Sequence, residues 1–315
     1  MHPAYSVIVF TTASGAGYGL TIWLAIAALT GTLPQTSAVV WLGFAVALAL
    51  IVGGLLSSTA HLGRPERAWR AVSQWQTSWL SREGVAALVT FAPIGVLGLS
   101  LLALPTGHAM QSVAAVLTII AALVTVYCTG MIYASLRTIP AWNQELVTPG
   151  YVLIALATGG VLYVLVTAFV AQAPLAIGWI TCALLAGVGV LKWFYWTAID
   201  SPSPAWTAEA ATGLGTIGKV RQLDPPHTQA NFVMREMGYS VARKHVARLR
   251  PMVLLTLCAA PMFFLALILT VAGPTAPLWA VLATTSAGLG VFVERWLFFA
   301  EAKHVVTLFY GAEAV

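Results

Sequence analysis

Charged side chains are scarce in this sequence. They make up 8% of its 315 residues, while hydrophobic residues make up 59%. Soluble domains carry about a quarter charged residues, so this chain cannot cover a water-facing surface and lipid must solvate most of its exterior. Only helices or a closed barrel satisfy their backbone polar groups in hydrocarbon. Apolar runs such as 85–103 and 252–272 lack the alternating polarity of barrel strands, and they therefore predict helices.

Cysteine and the common metal and phosphate motifs are also scarce. Cys128, Cys182 and Cys258 lie inside apolar runs without CxxC or Cys/His spacing, which predicts buried small side chains. The sequence has no glycine-rich phosphate loop and no HExxH. A membrane haem needs axial histidines inside helices, but the 6 histidines lie near the termini, in loops or at helix ends. We expect neither haem nor metal in this chain.

Four long stretches contain no Asp, Glu, Lys or Arg. Each can hold two spans of about 20 residues, and each has an uncharged turn with proline near its middle. The sequence therefore predicts an all-α integral membrane protein, with residues 1–315 forming a single transmembrane domain. We expect a bundle of eight transmembrane helices in four hairpins, at about 7–29, 38–60, 84–104, 110–135, 150–171, 176–198, 252–272 and 278–299.

The position of the basic residues predicts the orientation. All 15 Lys and Arg residues lie in loops after even-numbered spans, at the ends of those spans or in the C-terminal tail. By the positive-inside rule this side is cytoplasmic, so both termini are inside. The same bias accounts for the net charge of +5 without a nucleic-acid partner. We expect a multi-pass protein of the bacterial inner (cytoplasmic) membrane.

Residues 200–250 form the one long polar segment, between helices 6 and 7. Apolar residues recur at roughly helical spacing from Phe232 to Val241 beside several basic residues, which predicts a cytoplasmic basic amphipathic insertion. This stretch could lie on the anionic leaflet or dock a cytoplasmic partner, and the two interpretations are compatible. The candidate docking residues are Arg235, Arg243, Lys244 and Arg248.

A cluster of ionisable and aromatic residues follows the second predicted span. It contains His61, Arg64, Arg67 and Trp69, and Glu83 begins the next span. Quinone chemistry needs a hydrogen-bond donor, a proton acceptor and an amphipathic pocket wall, and this set supplies all three. Taken alone, His61 could equally be a solvated residue at a helix end.

The last predicted span carries a second cluster around Arg295. If Arg295 lies below the headgroups it needs an anionic partner, and we expect Glu83 to be that partner. The alternative is that Arg295 extends its long side chain to the membrane surface.

The segment from His61 to Ala68, followed by Ser81-Arg82-Glu83, resembles the membrane anchor subunit family of dimethyl sulfoxide reductase. The resemblance continues through 138–142 and through Arg295 to His304, and it covers nearly the whole chain. It implies eight helices, no haem, and a quinone site in which His61 and Glu83 handle protons, with Arg67 nearby. It also implies an iron–sulfur electron-transfer subunit and a molybdopterin catalytic subunit as partners, which alone carry those cofactors.

Two differences from the reductase anchors indicate which branch of this family the chain resembles. Here the motif side carries the basic residues and is expected to be cytoplasmic, and the segment 200–250 is an addition. The expected orientation resembles that of the branch that serves sulfite dehydrogenase, whose partner subunits stay in the cytoplasm, and the added segment could provide docking surface for such subunits. The resemblance thus implies an anchor that passes electrons from an iron–sulfur subunit to ubiquinone or menaquinone during sulfite oxidation. By itself the chain would not act on the sulfur substrate.

Three other functions remain open from the sequence. The same site would serve a quinol-oxidising anchor of a dimethyl sulfoxide or other oxyanion reductase. A purely structural anchor would lack a quinone site. A secondary transporter should show internal repeats with broken helices, and the sequence has no convincing repeat and no charged residue expected at mid-bilayer.

Overall fold

The computed structural model describes residues 3–34, 36–60, 62, 64–102, 107–172, 174–201, 206–224, 229, 231, 245–271 and 273–315. Within these ranges the regular structure is helical apart from one isolated bridge, Thr207 to Ala314. Eight of the described helices are long and apolar enough to cross a membrane. They are α1 Tyr5–Leu29, α2 Ser37–Thr59, α3 Trp79–Leu102, α4 His108–Ala134, α5 Val147–Val170, α6 Leu175–Asp200, α7 Val246–Val271 and α8 Ala276–Ala300.

The prediction of an all-helical chain with eight candidate spans is confirmed. The largest differences are at the starts of α3 and α7, which begin at Trp79 and Val246 rather than at residues 84 and 252. The sequence prediction starts these spans after the nearest charged residues. A helix can extend past the apolar stretch because its backbone hydrogen bonds are made internally wherever the chain lies.

Helix α1 is the centre of the bundle and packs against α2, α4, α5 and α8. Its crossing with α5 is very close, because a β-carbon on Gly19 or Gly159 would overlap the backbone of the other helix. Small residues allow this approach, and packing between backbones is a main source of helix association in lipid. The crossing brings the middle of α1 next to the polar residues of α5.

One turn of α7, Leu254–Ala259, is a π-helix. Its widened backbone is contacted by α8, where Ser286 Oγ donates a hydrogen bond to the carbonyl oxygen of Thr256 at 2.8 Å. A β-carbon on Gly290 would overlap the backbone at Leu257. The π turn is thus held by a polar contact and a close approach from α8, which fixes the position of the last helix.

Short segments connect the long helices at the end of the bundle where α4, α6 and α8 end and where Asp200, Arg250 and Glu301 lie. We call this end the charged end. A 3-10 helix, Pro65–Val72, packs against α3, and the C-terminal segment contains a second one, Val305–Tyr310. Backbone hydrogen bonds join Val305 to Thr138 and Val315 to Trp206, both at 3.0 Å. The C-terminal segment therefore ties the α4–α5 connection to the chain that follows α6.

Most of the predicted amphipathic stretch lies outside the described residues. This applies to Arg235, Arg243 and Lys244, while Arg248 is exposed in the first turn of α7. Docking by these four residues stays a prediction, as does the treatment of 200–250 as an insertion.

Candidate functional site

Glu83 is a carboxylate buried inside an apolar helix. It lies about 6 Å along α3 from Trp79, at a rise of about 1.5 Å per residue, and it is 5% exposed. Its helical register places it on the same face as Ala87, Thr90 and Ile94, which are buried too. Thr129 Oγ1 on α4 donates a hydrogen bond to Glu83 Oε1 at 2.5 Å. Helix packing therefore withdraws this group from both lipid and bulk water.

The side chains of the loop that precedes α3 are exposed, whereas Glu83 is buried. Arg64 and Arg67 are exposed, and Trp69 is 67% exposed. Arg82 fixes the junction with α3, because its guanidinium donates to the carbonyl oxygens of Trp75 and Gln76 and lies 4.3 Å from the Trp79 ring centre. His61 lies outside the described residues. The loop thus presents cations and indoles at the surface beside the point where Glu83 enters the bundle.

A second group of buried charges joins α6 to α8. Lys192, Glu294 and Arg295 are 4%, 1% and 3% exposed. Lys192 Nζ lies 2.7 Å from Glu294 Oε1, and Arg295 Nε lies 3.2 Å from Glu294 Oε2. We call these three residues the ion cluster. It carries one more positive than negative charge, in a region where unpaired charges are costly.

The expected pairing of Arg295 with Glu83 is wrong. The anionic partner of Arg295 within 4.0 Å among the described residues is Glu294, its neighbour in α8, and the burial of Arg295 also excludes extension to the surface. Glu294 accepts a hydrogen bond from Lys192 through Oε1 and forms an ion pair with Arg295 through Oε2. The hydrogen bond that Glu83 accepts comes from Thr129 instead.

Aromatic rings surround the ion cluster. The Arg295 guanidinium lies 3.8 Å from the Tyr151 ring centre, and Lys192 Nζ lies 4.1 Å from that of Tyr195. Cations are attracted to such ring faces, and more strongly when water is excluded. Trp142 Nε1 donates to the carbonyl oxygen of Phe298 at 2.8 Å, which fixes the end of α8 against the α4–α5 connection. The rings thus hold both cations in place from several helices.

Sequence reasoning does not single out Lys192. It lies near the end of a predicted span and belongs, by position, with the basic residues of the side that the sequence predicts to be cytoplasmic. The signal is its depth: Lys192 lies about 12 Å before the end of α6 at Asp200, and Glu294 lies about 9 Å before the end of α8 at Ala300. A cation and an anion at matching depth in two apolar helices favour an ion pair.

A small cavity lies between the Glu83 site and the ion cluster. It is enclosed by α1, α4, α5 and α8, and its lining includes both Thr129 and Arg295. Glu83 also interacts electrostatically with Tyr18 and Tyr151, two further residues of the lining. Glu83 and Arg295 are both predicted site residues, and the bundle places them on either side of one polar space.

Two larger cavities lie elsewhere. One, of about 870 Å³, runs along α4, α5 and α6, with Asn143, Gln144 and Glu145 at its polar end. The other, of about 770 Å³, is a cleft at the charged end lined by Arg250 and Glu301 among others. None of the predicted quinone-site residues that the structure describes lines either one.

Glu301 lies just beyond the end of α8 and lines the charged-end cleft. Arg250 Nε donates to Glu301 Oε1 at 3.0 Å, while its terminal nitrogens pair with Asp200. Burial raises the pKa of Glu301 above its usual value, and the hydrogen bond and charge of Arg250 partly oppose that shift. The ends of α6, α7 and α8 are thus joined by ion pairs at the mouth of the cleft.

Comparison with known proteins identifies the family of this chain. The family model for the DMSO reductase anchor subunit (DmsC) matches residues 1–312. A similar protein is the C subunit of the sulfite dehydrogenase of Allochromatium vinosum, with 32% identity over 330 residues and 100% of each chain covered. The family resemblance inferred from the sequence is confirmed, and the chain is a multi-pass membrane protein that belongs to the dimethyl sulfoxide reductase anchor subunit family.

Proposed function

We propose that this chain is the quinone-reactive membrane anchor of a three-subunit molybdoenzyme and passes electrons from an iron–sulfur subunit to the quinone pool. The observation that carries the proposal is the buried carboxylate of Glu83, at the charged end of an apolar helix and bonded to Thr129. Ionisable groups inside membrane segments are costly and typically serve a function. A carboxylate that is shielded from water but lies near the surface suits proton exchange with a quinone.

The quinone head group binds, in this proposal, where the loop 61–82 meets the start of α3. Reduction of a quinone to a quinol takes up two electrons and two protons. The electrons come from a cluster in the partner subunit. His61 and Glu83 supply or relay the protons, while Arg64, Arg67, Trp69 and Arg295 set the charge and the shape of the surroundings. Molybdopterin and iron–sulfur clusters belong to the partners and supply the oxidation of the sulfur compound.

The partner reaction that we propose is sulfite oxidation in the cytoplasm. The similarity to a protein named for a sulfite dehydrogenase supports this branch. The concentration of Lys and Arg at one end of the bundle supports an N-in, C-in orientation with four helical hairpins in the bacterial inner membrane. The catalytic and iron–sulfur subunits then dock on this cytoplasmic face, near the loop 61–82 and the segment 200–250.

The reverse direction of electron flow is a second candidate. The matching family model carries the name of a reductase anchor, and such an anchor would oxidise quinol instead. A comparison of sulfite-dependent quinone reduction with quinol-dependent reduction of dimethyl sulfoxide in the same purified complex distinguishes the two. We expect only the sulfite reaction. A complex that oxidises quinol with dimethyl sulfoxide, and does not oxidise sulfite, contradicts the proposed direction.

Substitutions at the site test the quinone role. We expect Glu83→Gln and His61→Ala each to abolish sulfite-dependent quinone reduction, because each removes a group that exchanges protons. Reduction of a water-soluble artificial acceptor by the catalytic subunits should persist. Glu66→Gln removes an exposed carboxylate of the same loop and should behave as wild type in both assays. Unchanged quinone coupling in either His61→Ala or Glu83→Gln would contradict the assignment.

A further inference from the structure

Three buried hydroxyl groups line the small cavity between α1, α4, α5 and α8. They belong to Thr12, Tyr18 and Tyr151; none of the three makes a hydrogen bond of good geometry with a residue that the structure describes, and the Tyr151 hydroxyl lies beside Arg295 and Tyr133. Tyr18 and Tyr151 are 2% and 5% exposed. Buried polar groups are nearly always hydrogen-bonded, and those without a protein partner usually bind ordered water.

The cavity has room for such a water. The space open to the centre of a water molecule is about 10 Å³, which is about what one molecule needs. Buried waters make about three hydrogen bonds, and these three hydroxyls line this space. The lining is therefore polar enough to hold a water that apolar cavities would exclude.

Glu83 and the ion cluster each reach this cavity through a residue of its lining. On one side Thr129 lines it and hydrogen-bonds Glu83. On the other side Arg295 lines it and contacts Glu294. A water in the cavity would thus lie between the Glu83 carboxylate and the ion cluster.

The polar groups continue from the ion cluster to the charged end. A second small cavity is lined by Tyr151, Lys192, Tyr195, Glu294 and Arg295. The Tyr195 hydroxyl donates to the carbonyl oxygen of Ala141 at 2.9 Å, and Ala141 also lines the charged-end cleft. Polar side chains and small cavities therefore extend from the cleft, past the ion cluster, to Thr129 and Glu83.

We propose that these groups form an internal proton route that resupplies Glu83 from the charged-end cleft through a water bound by Thr12, Tyr18 and Tyr151. The inference rests on the proposed quinone role of Glu83 and deepens it. When Glu83 has given its proton to the reduced quinone, its carboxylate takes one from Thr129, Thr129 takes one from the water, and the water takes one from Tyr151, which lines both small cavities. Tyr151 regains its proton from water that enters the second cavity from the charged-end cleft, and bulk solvent replaces that proton, so each hydroxyl ends the cycle in its starting protonation state.

The charge of the ion cluster suits this direction of transfer. Its excess positive charge disfavours an extra proton resting in the cavity, but it favours the passage of a proton deficit that starts at ionised Glu83. Proton movement is then tied to ionisation of Glu83 and to the reduction of quinone. Tyr151 relays protons in this scheme, because it lines both small cavities, while Tyr18 is a positioning residue that acts through the water.

Removal of single hydroxyls from the purified three-subunit complex tests the route. Tyr18→Phe and Tyr151→Phe keep the rings and remove only the hydroxyl groups. We expect each to slow sulfite-dependent quinone reduction on the order of tenfold or more, since a positioned proton-transfer group contributes about 10²–10⁴-fold. The ratio of rates in H₂O and D₂O should rise because proton delivery becomes limiting. Artificial-acceptor turnover should stay as in wild type.

The matched control is Tyr163→Phe. The Tyr163 hydroxyl is likewise buried and without a partner among the described residues, but Tyr163 does not line this cavity. It should keep the wild-type rate and isotope ratio. If Glu83→Gln blocks quinone reduction while Tyr18→Phe and Tyr151→Phe both match Tyr163→Phe, the route is contradicted and the quinone role of Glu83 stands. If Glu83→Gln has no effect, the proposed function itself fails.

A measurement on the wild-type complex covers the case in which a tyrosine variant does not assemble. Brief X-ray radiolysis of bulk and bound water oxidises side chains that contact water, and mass spectrometry locates the products. We expect Tyr18 and Tyr151 to be oxidised and Tyr163 to be protected. Equal protection of all three tyrosines overturns the bound water, and with it the route.

Discussion

Glu83 keeps its buried position through a specific hydrogen-bond donor on another helix. Thr129→Val preserves shape and removes the hydroxyl that donates to Glu83. The substitution leaves a buried carboxyl oxygen without its donor, which costs about 1–3 kcal/mol, so we expect a lower unfolding temperature and weaker quinone coupling. Thr118→Val is the control, because the Thr118 hydroxyl is also buried on α4 but bonds within its own helix, to Ala114. Equal effects of the two substitutions on quinone coupling contradict a specific role of Thr129.

In the ion cluster, loss of the single anion should destabilise the protein more than loss of one of the two cations. Lys192→Met leaves the neutral pair of Glu294 and Arg295, whereas Glu294→Gln leaves two buried cations without an anion within 4.0 Å among the described residues. Breaking a buried pair costs about 3–5 kcal/mol. We therefore expect Glu294→Gln to lower the thermal unfolding midpoint of the detergent-solubilised protein more than Lys192→Met. The opposite order would mean that Glu294 is not the anion that holds the cluster.

The sequence identifies individual residues of the site better than it identifies the residues they contact. Glu83 and Arg295 can be identified because charges near apolar spans are conspicuous. Their partners depend on the rotation and depth of helices that are far apart in the chain, which periodicity does not specify. The same limit explains why the sequence does not predict the ion pair of Lys192 or a role for Tyr18 and Tyr151. Those roles depend on which helices lie next to each other.

Among the helices, the crossing of α1 and α5 is the contact that tolerates least change. Gly159→Leu forces a side chain into the backbone of α1 at Gly19, so α1 and α5 must separate. Because Tyr18 and Tyr151 sit on these two helices, separation should disrupt the cavity as well as stability. We expect poor accumulation of the variant in membranes and a lower unfolding midpoint.

The control for this prediction is Gly53→Ala in α2. Among the described residues, no atom beyond the adjacent backbone of its own helix lies within 4 Å of a β-carbon at Gly53, and alanine in a helix is favoured over glycine by about 0.5–1 kcal/mol. It should leave stability unchanged or slightly higher. Wild-type accumulation and stability of Gly159→Leu would contradict the close crossing.

The helices themselves are predictable from the absence of charge. Stretches long enough for two spans, each divided by a turn, place all eight candidate spans to within several residues. The π turn in α7 has no signal in the sequence, because it depends on contacts that α8 makes with Leu257 and Thr256. The positions of the helices along the chain follow from local composition. Distortions within a helix, such as this π turn, follow from contacts with the adjacent helix.

For the whole molecule, the one-sided charge makes a prediction about orientation. Thr32 and Gly107 lie in the turns opposite the charged end, while Glu66 and Glu313 lie at the charged end. A membrane-impermeant thiol reagent applied to spheroplasts should label Thr32→Cys and Gly107→Cys but not Glu66→Cys or Glu313→Cys. The native cysteines are buried and give a low background. All four variants should react in lysed cells. Labelling of the Glu66 and Glu313 variants alone in intact spheroplasts means that the orientation is reversed.

This chain, in our proposal, provides the quinone site of its complex. The most direct test compares sulfite-dependent quinone reduction by the two proposed partner subunits with and without this chain in proteoliposomes, using an artificial acceptor to match their catalytic activity. We predict that quinone is reduced in step with sulfite oxidation only when the chain is present. Quinone reduction at the same rate without it would contradict the account.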